Sequence, residues 1–281
     1  MTTPCSVVGE RLGEDLAASA PAACRFLLLE QPGPWTGRNA VTHSDLDAGV
    51  ARALLARADE AGIKVHLIRR SPRRAELDRR SCFLVDVERR WIERHELGDP
   101  AEVLDLDLGG GGPRWEQPLY LVCTHGKRDP CCARRGRPLV RALRAVRPEE
   151  TWEIGHIGGH RFAATFMAFP SGLVFGRVPA ARGPAIVAAL ERGEIALEHL
   201  RGRVGDPRLQ AADVLVRRRL DLRGVDALSV EAATDGVVTL RGADGALLRA
   251  TVARREDPRP RPISCGDEPE TVSTYELVDL A

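Results

Sequence analysis

Two short segments of the sequence combine cysteine and histidine, whose side chains bind metals of intermediate softness. The first is CTHGKRDPCC at residues 123–132, and the second is GHIGGH at residues 155–160. Thiolates and imidazoles together suit zinc or iron–sulfur clusters, whereas hard cations such as Mg²⁺ and Ca²⁺ prefer oxygen ligands. The residue types therefore predict a metal centre that draws cysteines from one segment and histidines from the other.

The spacing within each segment bears on the kind of centre. Cys123 and Cys132 enclose a loop wider than the short C-x₂₋₄-C knuckle that is typical of structural zinc. His156 and His160 form an H-x₃-H pair, but the glycines around them argue against the helical geometry of an HExxH zinc site. A glycine-rich loop also lets the backbone approach a bulky inorganic centre closely. The spacing fits an iron–sulfur cluster and leaves zinc as the alternative.

Predicted strands lead into both segments. We predict strands at 118–123 and 151–154, with a basic helix at 132–146 between them. In open α/β sheets, ligands collect beyond the ends of the strands, where the loops converge. The cysteine and histidine segments are therefore expected to meet at one end of a sheet.

A similar order of elements precedes these strands. In the first half the predicted elements are a strand (24–30), a helix (44–61), a strand (64–69) and a hairpin (81–87 and 90–94). In the second half, the strand at 151–154 is followed by a hairpin (162–169 and 172–178) and a helix (181–200). A strand–helix–strand start followed by a hairpin and a helix is a thioredoxin-like order, although several α+β folds share it.

We therefore predict an α/β protein with tandem thioredoxin-like domains and a small C-terminal α+β domain. The expected domains are residues 1–108, 115–205 and 206–281, with Gly109–Gly112 as the linker between the first two. The loop Pro32–Trp35 of the first domain occupies the position equivalent to the cysteine loop of the second domain. It contains no metal ligand. The first domain is thus expected to have a structural or partner-binding role.

Composition excludes several classes of protein. The chain has 281 residues, 43% of them hydrophobic and 29% charged, which is the balance of a globular protein with a sizeable core. A formal net charge of +1 argues against a nucleic-acid binder, and the apolar runs are too short to span a bilayer. We expect a cytoplasmic protein that binds neither nucleic acid nor membrane. In that reducing compartment, its seven cysteines are expected to be thiols or metal ligands.

Several motifs resemble those of the sucrase/ferredoxin-like family. They are LLLEQPGPW, LVCTHGKRDPCCARRGRPL, WEIGHIGGHRFA and SGLVFGRV, with a further similarity at residues 264–266. The family is related to thioredoxin-like [2Fe–2S] ferredoxins. The resemblance implies a [2Fe–2S] cluster with Cys123 and Cys132 on one iron and His156 and His160 on the other. Although the family name includes sucrase, no pair of carboxylates in the sequence supports glycoside chemistry.

The implied function is electron transfer by a soluble carrier rather than catalysis. With two thiolates and two neutral histidines the oxidised cluster is uncharged, so it accepts an electron more readily than a cluster with four thiolates. The second nitrogen of each bound imidazole can carry a proton, so we expect the transfer to be proton-coupled. We expect a redox partner protein whose identity the sequence does not give. The alternatives are a structural zinc-binding scaffold and a thiol-dependent oxidoreductase.

Other residues near the motifs have lesser expected roles. Cys131 is expected to be a buried residue at the helix start, with ligation as the alternative. His125 is expected to form a loop hydrogen bond, or else to contact a partner or the cluster. Asp129 and Arg161 are expected either to tune the cluster or to be solvated charges. Three cysteines, Cys5, Cys24 and Cys82, are expected to pack as small hydrophobes, and Cys265 is expected to cover the cluster or act as a thiol.

Overall fold

The computed structural model describes residues 3–234 and 236–281, which fold around two β-sheets. In chain order, the strands of the larger sheet are β1 (Arg25–Glu30), β2 (Lys64–Arg69), β3 (Arg80–Asp86), β4 (Trp91–Leu97), β5 (Leu119–Cys123), β6 (Thr151–Ile154), β7 (Phe166–Phe169), β8 (Leu173–Phe175) and β9 (Leu200–Arg203). The helices are α1 (Cys5–Arg11), α2 (Ala48–Glu60), α3 (Pro130–Arg144), α4 (Gly183–Glu191) and α5 (Pro207–Leu220). The mixed α/β class is therefore confirmed.

The larger sheet contains the same strand arrangement twice. Its spatial order is β4-β3-β1-β2-β6-β5-β7-β8-β9. In the first half, β1 is parallel to β2 and antiparallel to β3; in the second half, β5 is parallel to β6 and antiparallel to β7. Strands β2 and β6 pair antiparallel where the halves meet, so both halves share one continuous sheet.

Local signals explain where the helices begin and end. The Asp47 side chain accepts hydrogen bonds from the backbone of Gly49 and Val50, so α2 begins after Asp47 rather than at the predicted Ser44. The predicted helix at 181–200 is too long, because α4 ends at Glu191, just before Gly193 adopts a positive φ. No helix in the described part of the chain is long and apolar enough to cross a membrane.

The larger sheet is curled, and its concave face encloses a core. Phe26 of β1 contacts Phe169 of β7, with ring centroids 5.0 Å apart, although three strands lie between them in the sheet. Phe83 of β3 likewise meets Trp152 of β6 at 5.8 Å. Cys123 and Cys132 belong to this same apolar cluster. The curl therefore buries the cysteine pair at one end of the enclosed core.

A second sheet packs against α5 and sends one hairpin back to the main body. Its strands are β10 (Leu228–Thr234), β11 (Val237–Gly242), β12 (Leu247–Arg261) and β13 (Glu270–Leu280), all paired antiparallel in chain order. Buried residues of α5 and of β11 and β12 form its core. The loop between β12 and β13 contacts Asp129, at the N-terminus of α3, through Ser264 and Cys265.

Candidate metal centre

Two neighbouring elements place the predicted cysteine ligands. Cys123 is the last residue of β5, and Cys132 lies in the first turn of α3. The Asp129 side chain begins this helix by accepting a hydrogen bond of 2.8 Å from the backbone N–H of Cys131. Gly136, one turn further along, packs against the backbone oxygen of Cys123, where a Cβ atom would collide. This close approach of helix and strand holds Cys132 near Cys123.

The histidine segment follows β6, as the sequence predicts, and it brings one of its two histidines into the cysteine pair. The two Sγ atoms of Cys123 and Cys132 and one ring nitrogen of His156 all lie within 4.8 Å of one another. His160 lies beside this set rather than within it: its ring centroid is 5.0 Å from that of His156. Its Nε2 atom is 3.9 Å from Oδ2 of Asp129.

The donor atoms fit a metal centre better than an ordinary polar core. Three buried imidazole nitrogens have no hydrogen-bond partner within the described residues. They are both ring nitrogens of His160 and Nδ1 of His156. Buried polar atoms are normally paired, so these three nitrogens, which have no partner in the described part of the chain, are available as metal ligands beside the two thiols. Thiolates and imidazoles are the donor set of zinc and of iron–sulfur clusters. The residues present therefore fit a [2Fe–2S] cluster.

Hydrogen bonding within the pair favours the thiolate form of one cysteine. A hydrogen bond from the Cys132 thiol is the largest influence on Cys123, and together with His156 it lowers the pKa of Cys123 despite burial. The pKa of Cys132 rises in turn, because its thiol donates the hydrogen bond to Cys123 and because the side chain is buried. Because thiolates are the species that bind metals, the pair is prepared for ligation.

Arg201, which no sequence motif indicates, places a buried cation near the cysteines. It is fully buried on β9 and donates hydrogen bonds to Oγ and O of Ser19 and to O of Gly158. Burial lowers the pKa of Arg201 to about 9, and the nearby Cys123 and Cys132 partly oppose that shift. Gly159 is left-handed and abuts this guanidinium, so a side chain there would collide with it. No local motif marks Arg201, because β9 is distant in the sequence from both the cysteine and the histidine segments.

Three other residues near the motifs, His125, Arg161 and Cys131, make contacts outside the cysteine pair. His125 donates a hydrogen bond of 2.8 Å from Nε2 to the backbone oxygen of Gly37, the expected loop contact, and its ring meets Trp35 edge-on. Arg161 pairs with Glu14, its Nε lying 2.7 Å from Oε1 of the carboxylate. Cys131 is buried at the start of α3, as expected, but its sulfur faces Cys5 and Cys265 instead of the Cys123 pair.

The charge on Asp129 is stabilised although the side chain is buried. Burial by itself raises its pKa, but hydrogen bonds from the backbone N–H groups of Cys265 and Cys131, with His160 and Ser264, lower it overall. Asp129 therefore presents a carboxylate to the edge of the centre near His160. This agrees with the predicted tuning role more closely than with a solvated loop charge.

Comparisons with known proteins point to one family. The model of the sucrase/ferredoxin-like family matches residues 16–202. Among solved structures, the chain is similar to a cysteine-to-serine variant of the thioredoxin-like [2Fe-2S] ferredoxin from Aquifex aeolicus, at 18% identity and a TM-score of 0.27, over 30% of this chain and 97% of that one. No curated protein matches the sequence. Because the family match extends over well more than half of the chain, from before β1 into β9, this protein belongs to the sucrase/ferredoxin-like family.

Proposed function

We propose that the protein is an electron carrier that holds one [2Fe–2S] cluster between the loops that follow β5 and β6. The proposed ligands are Cys123, Cys132, His156 and His160. The observation that carries this proposal is the convergence of two buried thiols with imidazole nitrogens that lack hydrogen-bond partners within the described residues. Membership of a ferredoxin-like family supports the same chemistry. A bound cluster would supply one-electron reduction, while the chain supplies ligands, a buried carboxylate and the Arg201 cation.

The proposed ligands differ in exposure, and this difference suggests a route for electrons. Cys123, Cys132 and His160 are at most 4% exposed, whereas His156 is half-buried and lines a surface groove of about 290 Å³. Two cations, Arg38 and Lys64, and one acid, Asp59, are exposed at the same groove, so its exposed charge is positive on balance. We infer that a redox partner protein docks here with an acidic surface, because complementary charge speeds encounter.

We interpret the two matching halves of the larger sheet as tandem thioredoxin-like units, with expected boundaries at 1–108 and 115–205. The support for this interpretation is that the same pattern of parallel and antiparallel neighbours occurs around β1 and around β5. In the first unit, Trp35 is buried against His125 and Arg69. We infer that the first unit supports the loop that carries the metal ligands.

The composition of the purified protein tests the proposal. We expect about two irons and two acid-labile sulfides per chain, the content of one [2Fe–2S] cluster. After reduction, we expect about one unpaired spin per chain, because the first unit has no matching thiols at its loop Pro32–Trp35. Metal and sulfide analysis of anaerobically purified protein, with spin quantitation, measures both numbers.

Two results would contradict this expectation in different ways. Two spins per chain would mean that a second cluster exists. Zinc at Cys123 and Cys132 without sulfide, in protein produced with ample iron, would favour the structural zinc alternative. That alternative rests on a specific observation, because three donors within 4.8 Å also suit a single ion.

We expect the reduction potential to depend on pH. His156 lines the open groove, so a ring nitrogen that is not bound to iron can exchange a proton with water. Reduction adds negative charge and tightens the hold on this proton. The potential should therefore be flat at low pH, where both states carry the proton, and should fall by about 59 mV per pH unit where only the reduced state carries it.

Protein-film voltammetry from mildly acidic to strongly alkaline pH measures this dependence. In the variant His156→Cys a permanent thiolate replaces the imidazole, so we expect a lower potential and a weaker slope. A wild-type potential that stays constant over the whole range would contradict proton coupling.

A further inference from the structure

Three cysteines that are distant in the sequence meet beside, but outside, the proposed cluster site. They are Cys5 at the start of α1, Cys131 in the first turn of α3, and Cys265 in the loop between β12 and β13. The three Sγ–Sγ distances are 3.7 Å for Cys5–Cys131, 3.4 Å for Cys131–Cys265 and 3.6 Å for Cys265–Cys5. The sulfurs therefore form a nearly equilateral triangle, which we name the three-cysteine cluster.

A buried carboxylate completes this arrangement. Oδ2 of Asp129 lies 3.6 Å from Sγ of Cys5, and the oxygen and the three sulfurs all lie within 4.8 Å of one another. Hydrogen bonds from the backbone N–H groups of Cys131 and Cys265 keep this carboxylate charged, so it offers an oxygen donor beside the three sulfurs. The donor set is that of a site for a thiophilic metal ion.

The distances between the sulfurs match one ion and do not match a disulfide. A tetrahedral zinc ion with Zn–S bonds of about 2.3 Å holds its sulfurs about 3.8 Å apart. A disulfide would require about 2.05 Å. We propose that Cys5, Cys131, Cys265 and Asp129 bind one Zn²⁺ ion, separate from the centre formed by Cys123, Cys132 and the histidines. Each thiol loses its proton to solvent when the ion binds.

The surrounding chain positions these donors without help from a metal. Hydrogen bonds of 2.7 Å from the backbone N–H of Cys265 and 3.0 Å from Oγ of Ser264 fix the β12–β13 loop on Asp129. The segment of α1 is held separately, because Arg177 donates to the backbone oxygen of Gly9 at 3.0 Å and Arg259 donates to that of Leu12 at 2.8 Å. Hydrogen bonds made by neighbouring residues therefore preorganise the three-cysteine cluster.

The position of the site indicates a structural role. The ion would join three elements that are far apart in the sequence. They are α1, the start of α3 and the β12–β13 hairpin. Helix α1 also packs against the short 3-10 turn His160–Phe162. A zinc ion here would hold α1 and the β12–β13 loop beside the histidine segment.

Zinc analysis of the intact, anaerobically purified protein tests this proposal. We expect about one zinc per chain, in addition to iron, and X-ray absorption at the zinc edge that shows three sulfur ligands and one lighter ligand. Protein without zinc after growth in zinc-supplemented medium would overturn the proposal. Zinc with two sulfurs and a histidine nitrogen would overturn it as well, because that set describes the Cys123 site.

Cysteine variants give an independent test with a matched control. In Cys265→Ser we expect zinc to fall from about one per chain to almost none while iron and sulfide stay unchanged, and in Cys24→Ser we expect both metals to stay unchanged. Cys265→Asp supplies a replacement ligand and should retain zinc, which separates loss of a ligand from failure to fold. Unchanged zinc in Cys265→Ser, or a native protein with a disulfide between any two of these cysteines, would overturn the proposal.

Discussion

Replacing Cys132 by serine is expected to abolish iron binding, whereas replacing the adjacent Cys131 leaves it intact. Both residues lie in the first turn of α3, but their sulfurs face different groups: Cys132 approaches Cys123 and His156, and Cys131 approaches Cys5 and Cys265. Loss of Cys132 removes a thiolate anchor from the proposed cluster, and serine is a poor substitute for it. Cys131→Ser serves as the matched control, because the same substitution is made one residue away.

The visible absorption and the iron content of both variants measure this difference. We expect Cys132→Ser to be colourless with almost no iron, and Cys131→Ser to keep the wild-type spectrum while it loses zinc. A colourless Cys131→Ser protein together with a coloured Cys132→Ser protein would show that the ligand is the other cysteine.

Replacing Arg69 by methionine is expected to lower the free energy of unfolding by about 3–5 kcal/mol, because it removes the nearer of two cations, Arg69 and Arg144, from the buried carboxylate of Glu153. Arg69 of β2 and Glu153 of β6 are paired residues where the two halves of the sheet meet. The guanidinium donates to Oε2 of Glu153 at 3.1 and 3.2 Å, and both side chains are less than a tenth exposed. Methionine fills the space against Trp35 but cannot neutralise Glu153.

Urea unfolding followed by circular dichroism measures the change, and Arg74→Met provides the control. Arg74 pairs with Asp45 at 2.7 Å in a mostly solvent-exposed position, where ion pairs add little to stability. Equal shifts in the two variants would mean that the Arg69–Glu153 pair does not hold the halves together.

The strands and the ligand segments were predictable because their signals are local. The run before Cys123 is apolar and the run before His156 contains Trp152 and Ile154, and both become buried strands that end at the candidate centre. The two predicted hairpins likewise appear as the antiparallel pairs β3–β4 and β7–β8. The strand that ends at Cys123 and the capped start of α3 can be predicted from residues that are neighbours in the sequence.

The remaining features depend on contacts between distant parts of the chain. Cys5 and Cys265 are 260 positions apart, and no spacing pattern links either of them to Cys131. Cys5 was expected to pack as a small hydrophobe, and its burial fits that expectation, but its sulfur also meets two other thiols. Arg201 is near the cysteine pair only through tertiary contacts such as its hydrogen bond to Gly158, because β9 is distant from both ligand segments in the sequence. His160 was expected among the ligands, yet its nitrogens lie just outside the compact set.

Mössbauer spectroscopy of the oxidised protein enriched in ⁵⁷Fe tests the central claim most directly, because it distinguishes irons by their ligands. The proposed cluster contains one iron bound by Cys123 and Cys132 and one bound by His156 and His160. We therefore expect two quadrupole doublets of equal area with different isomer shifts, since thiolate and imidazole donate charge differently to iron. A single doublet from two equivalent irons, or the absence of bound iron from protein produced with ample iron, would contradict the proposed Cys₂His₂ ligation.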